Sequence, residues 1–432
     1  MEAQPDLRTG ATEVTPRAVI LGSEHPRALA VISSLGELGV PIVCVDHEAS
    51  SRASSSRFVK KTHRISADPA EALAFIVSLG ERGGGVLIPT SDEYVILVSQ
   101  NAELLARHFV LAAPAWDVVG PLIDLARCYA LGRECGLKTP KVFKPRDEAE
   151  LRSIVAGLDL ERHAYLLRTP PASVPADIAT DRFTKAAGTD AQSILDNCLD
   201  IYSRLGEFPI IAEVIPSDAD GGIGAHLIVD ANHEAVVAYC IRRLTIDYSR
   251  DGFTHPYELG AHVYCESVRD EEALEAAKRL ARRAGYVGAI AVEFRRDHRD
   301  GSLVLVKADV CLARELSLSR AIGLDAPAAL YRMLTGGPRP VATTYREGVA
   351  WLWLTAYFST LWVQRSNRPV LRELASTMRR FHRVRALAYW SPRDPMPFFA
   401  DAVMWLKHAI PRGLRQLFGS PATTSKDLAT GD

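Results

Sequence analysis

Glu293, Lys307 and Asp309 fall within one short stretch, and their types could handle charge. From Val292 the chain reads VEFRRDHRDGSLVLVKAD. An apolar strand carries Glu293, a turn signal follows at Asp300–Gly301, and a second apolar strand runs from Leu303 into Lys307-Ala308-Asp309. Alternating apolar residues on both sides of such a turn predict a β-hairpin. A lysine between two acids admits either contact with a phosphate or an ion pair with Glu293 or Asp309 that needs no metal. A second candidate is Thr90-Ser91-Asp92-Glu93, which follows the apolar run GGVLIP. Sheets of α/β proteins place ligands at the carboxyl ends of their strands. Ser91, Asp92 and Glu93 are therefore candidate substrate contacts, with a plain helix cap as the structural alternative.

Other spacings exclude whole classes. Gly22-Ser23-Glu24-His25 with Asp46 superficially suggests a dinucleotide site, but the GxGxxG glycines are missing and His25-Pro26 would crowd a pyrophosphate. The twelve histidines include no HxxxH or HExxH pair, and the seven cysteines no CxxC. Dispersed cysteines argue for reduced thiols and a cytoplasmic location. A formal net charge of −1 gives no support for nucleic acid as a partner. The N-terminal MEAQPDLRTGATEVTPR lacks the apolar core of a secretory signal. The densest apolar run, Val349 to Val363, is about 15 residues, short of the ~20 that span a bilayer.

The elements that must position these residues follow from periodicity. At 432 residues the chain exceeds one core, so two or three domains are expected. Residues 1–16 and 420–432 are polar and expected to be disordered tails. From Arg17, RAVILG, VPIVCVD, GGVLIP and FVLAAP read as strands separated by helices, which predicts a doubly wound parallel sheet over 17–116. Region 117–338 mixes strands with helices near 117–135, 189–206 and 267–285, an α+β pattern. Beyond it, 339–419 reads as a Trp-, Tyr- and Arg-rich helical extension.

The order VILGSEHPRALAVISSLGELGVPIVCVD, VLIPTSDE, DLARCYALGRECGLKTPKVF, FPIIAEVIPS, GYVGAIAVEFRRDHRDG, SRAIGLDAPAALYRMLTG and WSPRDPMPFF resembles the ATP-grasp superfamily. It is most similar to carboxylate–amine ligase-like proteins related to the large subunit of carbamoyl phosphate synthase, over about residues 17–410. The resemblance implies a Rossmann-like first domain, a lid at about 140–215, a catalytic half and a helical extension. It also implies ATP and magnesium as cofactors, a small-molecule carboxylate activated as an acyl phosphate, and an amine-type nucleophile. A catalytically degenerate homologue that binds a metabolite or a protein is the alternative.

Residue by residue, the resemblance puts Lys185 and Arg168 on phosphates, with Arg168 standing where the family has lysine. Ala212, Glu213, Val214 and Ile215 fall on the adenine-binding strand, and Glu293 and Asp309 on the metal. The departures gather at the same place: Leu125 for a lysine, Ser217 for a glycine, Thr245 for an arginine, Lys307 for the central glutamate, Cys311 for an arginine. Lys307 matters most, with Arg168 the other candidate catalytic cation. Two like unit charges ~4 Å apart repel by about 4 kcal/mol at an effective dielectric of 20, and a divalent ion doubles that. One magnesium at most is expected. Segments 378–390 and 405–418 are basic and amphipathic, which admits either a peripheral membrane contact or helices packed on the core.

Overall fold

The computed structural model describes residues 15–47, 52–168, 185–186, 188, 190–216, 222–243, 263–338, 344–364 and 378–418. For 185–186, 360–364 and 408–418 it describes the backbone alone. The expected tails, and the departures at Ser217 and Thr245, lie outside the described residues, apart from Thr15 and Pro16.

Five parallel strands make the first sheet: β1 (Ala18–Leu21), β2 (Ile42–Asp46), β3 (Val59–Arg64), β4 (Gly85–Pro89) and β5 (Phe109–Leu111). Their order is β3-β2-β1-β4-β5, the doubly wound arrangement that the alternation predicts. Strand β1 is wholly buried because both its faces are covered, so it reads as a continuous apolar run. Strand β3 was not expected. Its sequence VKKTHR carries no apolar pattern, as suits a half-exposed edge strand. Asp46 ends β2 and accepts hydrogen bonds from the Ser23 hydroxyl (2.7 Å) and backbone N–H (2.5 Å). That buried carboxylate closes a turn, in keeping with the missing dinucleotide glycines.

The second sheet is small: β6 (Val142–Phe143), β7 (Tyr165–Arg168), β8 (Lys185–Ala186) and β9 (Ile210–Glu213), in the order β6-β9-β7-β8. Helices Glu148–Ala156 and Ala191–Leu205 cover it, each opened by an aspartate cap, Asp147 or Asp190.

The third sheet carries the hairpin. It contains β10 (Gly222–Val229), β11 (Ala235–Arg243), β12 (Tyr264–Val268), β13 (Gly288–Arg296), β14 (Leu303–Asp309), β15 (Ala350–Leu352) and β16 (Val384–Leu387). The order is β14-β13-β10-β11-β12-β15-β16, antiparallel throughout except that β15 and β16 run parallel. Side chains alternate between faces, and the two faces differ in kind. Ala225, Leu227, Cys240, Val292, Phe294 and Leu305 point to a core shared with Ala273, Ala277 and Leu280 of helix Glu271–Arg283. Burying a side chain such as Phe294 contributes about 1.5–3 kcal/mol. The opposite face carries the charged groups.

The C-terminal segment supplies the expected helices, Leu354–Gln364 and Met396–Phe418, and also two strands of the third sheet. Buried Trp351 on β15 explains part of the tryptophan richness: its indole N–H donates to Ser317 Oγ at 3.0 Å. Tyrosine and tryptophan here are sheet and core residues as well as helix residues.

Candidate functional site

The hairpin register brings the sequence candidates together. Glu293 pairs directly with Lys307, and Asp309 lies two residues further along β14 on the same face. A bulge after Glu293 leaves Val306 as the extra residue on β14. The Lys307 ammonium lies 3.1 Å from Glu293 Oε1 and 2.9 Å from Asp309 Oδ1. Lys307 and Asp309 are hemmed in by protein, yet 39% and 36% of their side-chain surface stays open, as on a cleft floor.

A second cation reaches Glu293 from two strands away. Arg243 closes β11 and pairs with Glu293, with Glu315 Oε1 3.9 Å away. Strand β10 runs between them, and opposite Arg243 and Glu293 it carries Gly222 and Gly224. A Cβ on Gly222 would lie 3.6 Å from Arg243 Cβ and Cδ, so the arginine chain lies across a strip that has no side chains. Further along the same face, His226 stacks on Tyr239 at 4.9 Å and approaches Glu315 Oε1 at 3.4 Å. Burial works against the Arg243 charge, but Glu293 and Glu315 outweigh it and hold its pKa above the ordinary value.

A third cation comes from the first domain. The Arg27 guanidinium, near the start of helix Pro26–Glu37, donates to the Leu312 carbonyl at 2.9 Å and stands beside Cys311. Arg27 thus sets a cation beside Cys311, the position where the resemblance implies an arginine. Asp92 faces Arg27 at 3.9 Å. Ser91 instead caps helix Asp92–Gln100 by accepting from the Tyr94 N–H, and Glu93 pairs with His47 at 3.1 Å. Of the Ser91-Asp92-Glu93 cluster, Asp92 alone faces Arg27, and its charge also opposes that of Asp309.

On the lid side, Arg168 ends β7 and Arg295 lies on β13 beyond Glu293. Burial, with repulsion from Arg168 and Arg243, lowers the Arg295 pKa, and Glu293 offsets this only in part. Neither Arg168 nor Arg295 has a hydrogen bond or ion pair among the described residues, and Arg168 Nε is buried without a partner. With Glu293 shared among Arg243, Lys307 and Arg295, the two neighbouring guanidiniums leave an excess of positive charge that attracts an anion. Lys185 pairs with Leu167 on the adjacent strand β8.

The Ala212–Ile215 run is committed more deeply than the sequence suggests. Glu213 N–H donates to the Lys141 carbonyl at 2.9 Å and Val214 N–H to that of Ala164 at 2.8 Å. The Glu213 carboxylate is buried, 3.0 Å from His163 Nδ1 and 3.2 Å from Arg299. It fastens the lid to the hairpin turn. Ala212 is an inner-strand residue between β6 and β7.

The metal expected from the resemblance does not fit these residues. Glu293 and Asp309 do converge, but Lys307 fills the space between them and Arg243 takes the other side of Glu293. Among the described residues no group of three His, Cys, Asp or Glu could hold a metal ion. Burial, then Glu293, pushes the Asp309 carboxyl up to about 6, with Lys307 opposing. An acid whose folded pKa is raised favours the folded state below that pKa, and loses that advantage as pH rises from the ordinary value of 3.8 to about 6. Asp309→Asn removes this dependence. Its melting temperature relative to the parent protein should therefore climb as pH passes from about 4 to about 6 and level off above that. A difference flat with pH would refute the raised carboxyl.

This three-sheet layout, a doubly wound domain, a small lid and a large antiparallel sheet, is the ATP-grasp fold. Its solved counterparts are ATP-grasp carboxylate–amine ligases. One is the biotin carboxylase domain of Hydrogenobacter thermophilus 2-oxoglutarate carboxylase, in complex with MgADP, ADP and bicarbonate. It is similar at TM-score 0.59 and 16% identity, over 78% of this chain and 73% of that one. Biotin carboxylase from Campylobacter jejuni, an ATP-analogue complex, matches at 0.57 and 13%, over 79% and 75%. The ADP complex of an N5-carboxyaminoimidazole ribonucleotide synthetase matches at 0.58 and 13%, over 75% and 78%. No protein-family model matches the chain, and no curated protein sequence does. At such identities the likeness is one of fold.

Proposed function

We propose that this chain binds ATP in the cleft between the lid and the third sheet, using its own cations where relatives of this fold use magnesium. The observation that carries this reading is the pair Arg168 and Arg295, neighbouring guanidiniums whose nearest carboxylate, Glu293, is already engaged by Arg243 and Lys307. Arg295 is exposed and Arg168 half-buried, and a polyphosphate would supply negative charge to offset the repulsion between them. Arg168, Arg295, Lys185 and Lys307 would meet phosphate oxygens. The base would lie along Ala212–Ile215, where the Ile215 N–H is the donor without an intramolecular partner among the described residues. The reaction that suits the fold is ATP-dependent joining of a small-molecule carboxylate to an amine-type nucleophile. Lys307 and Arg243 would offset charge on the transferring phosphoryl group electrostatically.

The second reading, a homologue that binds its ligand without catalysis, is favoured by one specific observation: the Lys307 ammonium between Glu293 and Asp309. Thermal-shift titration separates nucleotide binding from its absence. ATP should raise the melting temperature equally with EDTA and with magnesium, by about 2.7 kcal/mol of stability at a hundredfold excess over Kd. No shift under either condition would sink the proposal. Release of ADP on adding small carboxylates and amines then separates ligase from binding protein.

A further inference from the structure

We propose that the C-terminal helix Met396–Phe418 docks this protein on an anionic membrane surface. Met396, Phe399, Val403 and Leu406 are exposed by 55%, 54%, 50% and 46%. Their spacing of three, four and three residues aligns them along one side of a helix. The other side is fastened to the body. Buried Asp401 receives Arg52 Nε at 2.8 Å and the hydroxyl of Thr355, and the Trp405 indole donates to Ser359 Oγ at 2.7 Å. The apolar stripe is therefore held outward by specific contacts. Trp390, exposed by 42%, packs edge-on against Phe398 at 5.5 Å on the fastened side of the helix. A contiguous apolar surface of this kind marks an interaction site.

Charge selects the occupant. From Met378 to Phe418 the sequence holds eight lysines and arginines against two aspartates, in a chain whose overall charge is −1. Both aspartates, Asp394 and Asp401, are buried, while Arg379, Arg380, Arg385 and Lys407 are exposed. Lys407 follows Leu406 directly on the helix, and a segment rich in exposed cations that carries an outward apolar stripe suits an anionic interface. No helix among the described residues is long and apolar enough to cross a membrane, so the contact is peripheral. A second copy of the chain would set like-charged arrays against each other. Nucleic acid would leave Met396, Val403 and Leu406 uncovered, since only Phe399 of the stripe gives a base a ring to stack on.

Flotation of the full chain with vesicles tests this. It should bind phosphatidylcholine vesicles containing about one third phosphatidylglycerol, bind pure phosphatidylcholine at least about tenfold more weakly, and be released by high salt. The double variant Phe399→Glu, Leu406→Glu should lose binding with an unchanged melting temperature. Arg380→Glu and Lys407→Glu should each weaken it by about fivefold or more. Absence of binding to anionic vesicles would overturn the proposal. So would a dimer that the double variant makes monomeric, or RNA retention that it abolishes.

Discussion

Arg243→Met should cost this protein about 3–5 kcal/mol of stability at neutral pH, the usual result of removing one partner from a buried ion pair. Arg243 and Glu315 are almost wholly buried and Glu293 keeps 12% of its side-chain surface. Methionine fills most of the arginine's volume, so the loss reports charge more than packing. Glu293 keeps Lys307 as a partner at 3.1 Å, and Glu315 keeps His226 at 3.4 Å. The deficit falls on both carboxylates. It should shrink on acidification, because a carboxyl left without its cation has a raised pKa and can protonate in the folded state. Urea unfolding read by tryptophan fluorescence, to which buried Trp351 of the same sheet contributes, checks both points. Pairing the change with Glu293→Gln in a double-mutant cycle isolates the Arg243–Glu293 part. A loss below about 1 kcal/mol, the range of exposed pairs, would show that solvent already screens this network.

What could be read from the sequence was local, and what could not was long-range. The β13–β14 hairpin was legible because a turn signal and period-2 alternation suffice to set Glu293 against Lys307 and Asp309. Arg243 was not, since it lies in a different hairpin and reaches Glu293 only by crossing β10. The available signal was the glycine pattern at Gly222 and Gly224, because glycines inside a strand mark a close approach. Arg27 was invisible for the same reason: it stands 284 positions before Cys311, and only the docking of the first domain on the third sheet joins them. The anchoring of Glu213 was equally illegible. Its place on β9 suggested a ligand edge, but the partners that consume it, His163 and Arg299, come from two separate loops. Strands β3 and β15–β16 went unread because an edge strand and very short strands carry little periodicity.

Lys307→Glu should convert a metal-indifferent cleft into a metal-dependent one. The substitution removes the ammonium that stands 3.1 Å from Glu293 and 2.9 Å from Asp309, and puts a third carboxylate on the same cleft floor. Without divalent ions those carboxylates repel. Position 307 is two-fifths exposed, so screening reduces the ~4 kcal/mol of an enclosed like-charge pair to about 1–2 kcal/mol, seen as a lower melting temperature in EDTA. Magnesium prefers carboxylate oxygens and tolerates retained waters, so millimolar magnesium should restore the variant while leaving the parent protein unmoved. Lys307→Met is the control: it loses the ammonium without gaining a carboxylate, and should respond to magnesium weakly. ATP then distinguishes the two functional readings. If Lys307 merely disables an inherited metal site, the glutamate variant gains magnesium-dependent ATP binding and hydrolysis. If Lys307 itself carries phosphate, both variants bind ATP more weakly in EDTA than the parent does. A glutamate variant indifferent to magnesium would instead mean that Arg243, still paired to Glu293, is enough to keep a metal out, and the double change with Arg243→Met would then be needed to admit one.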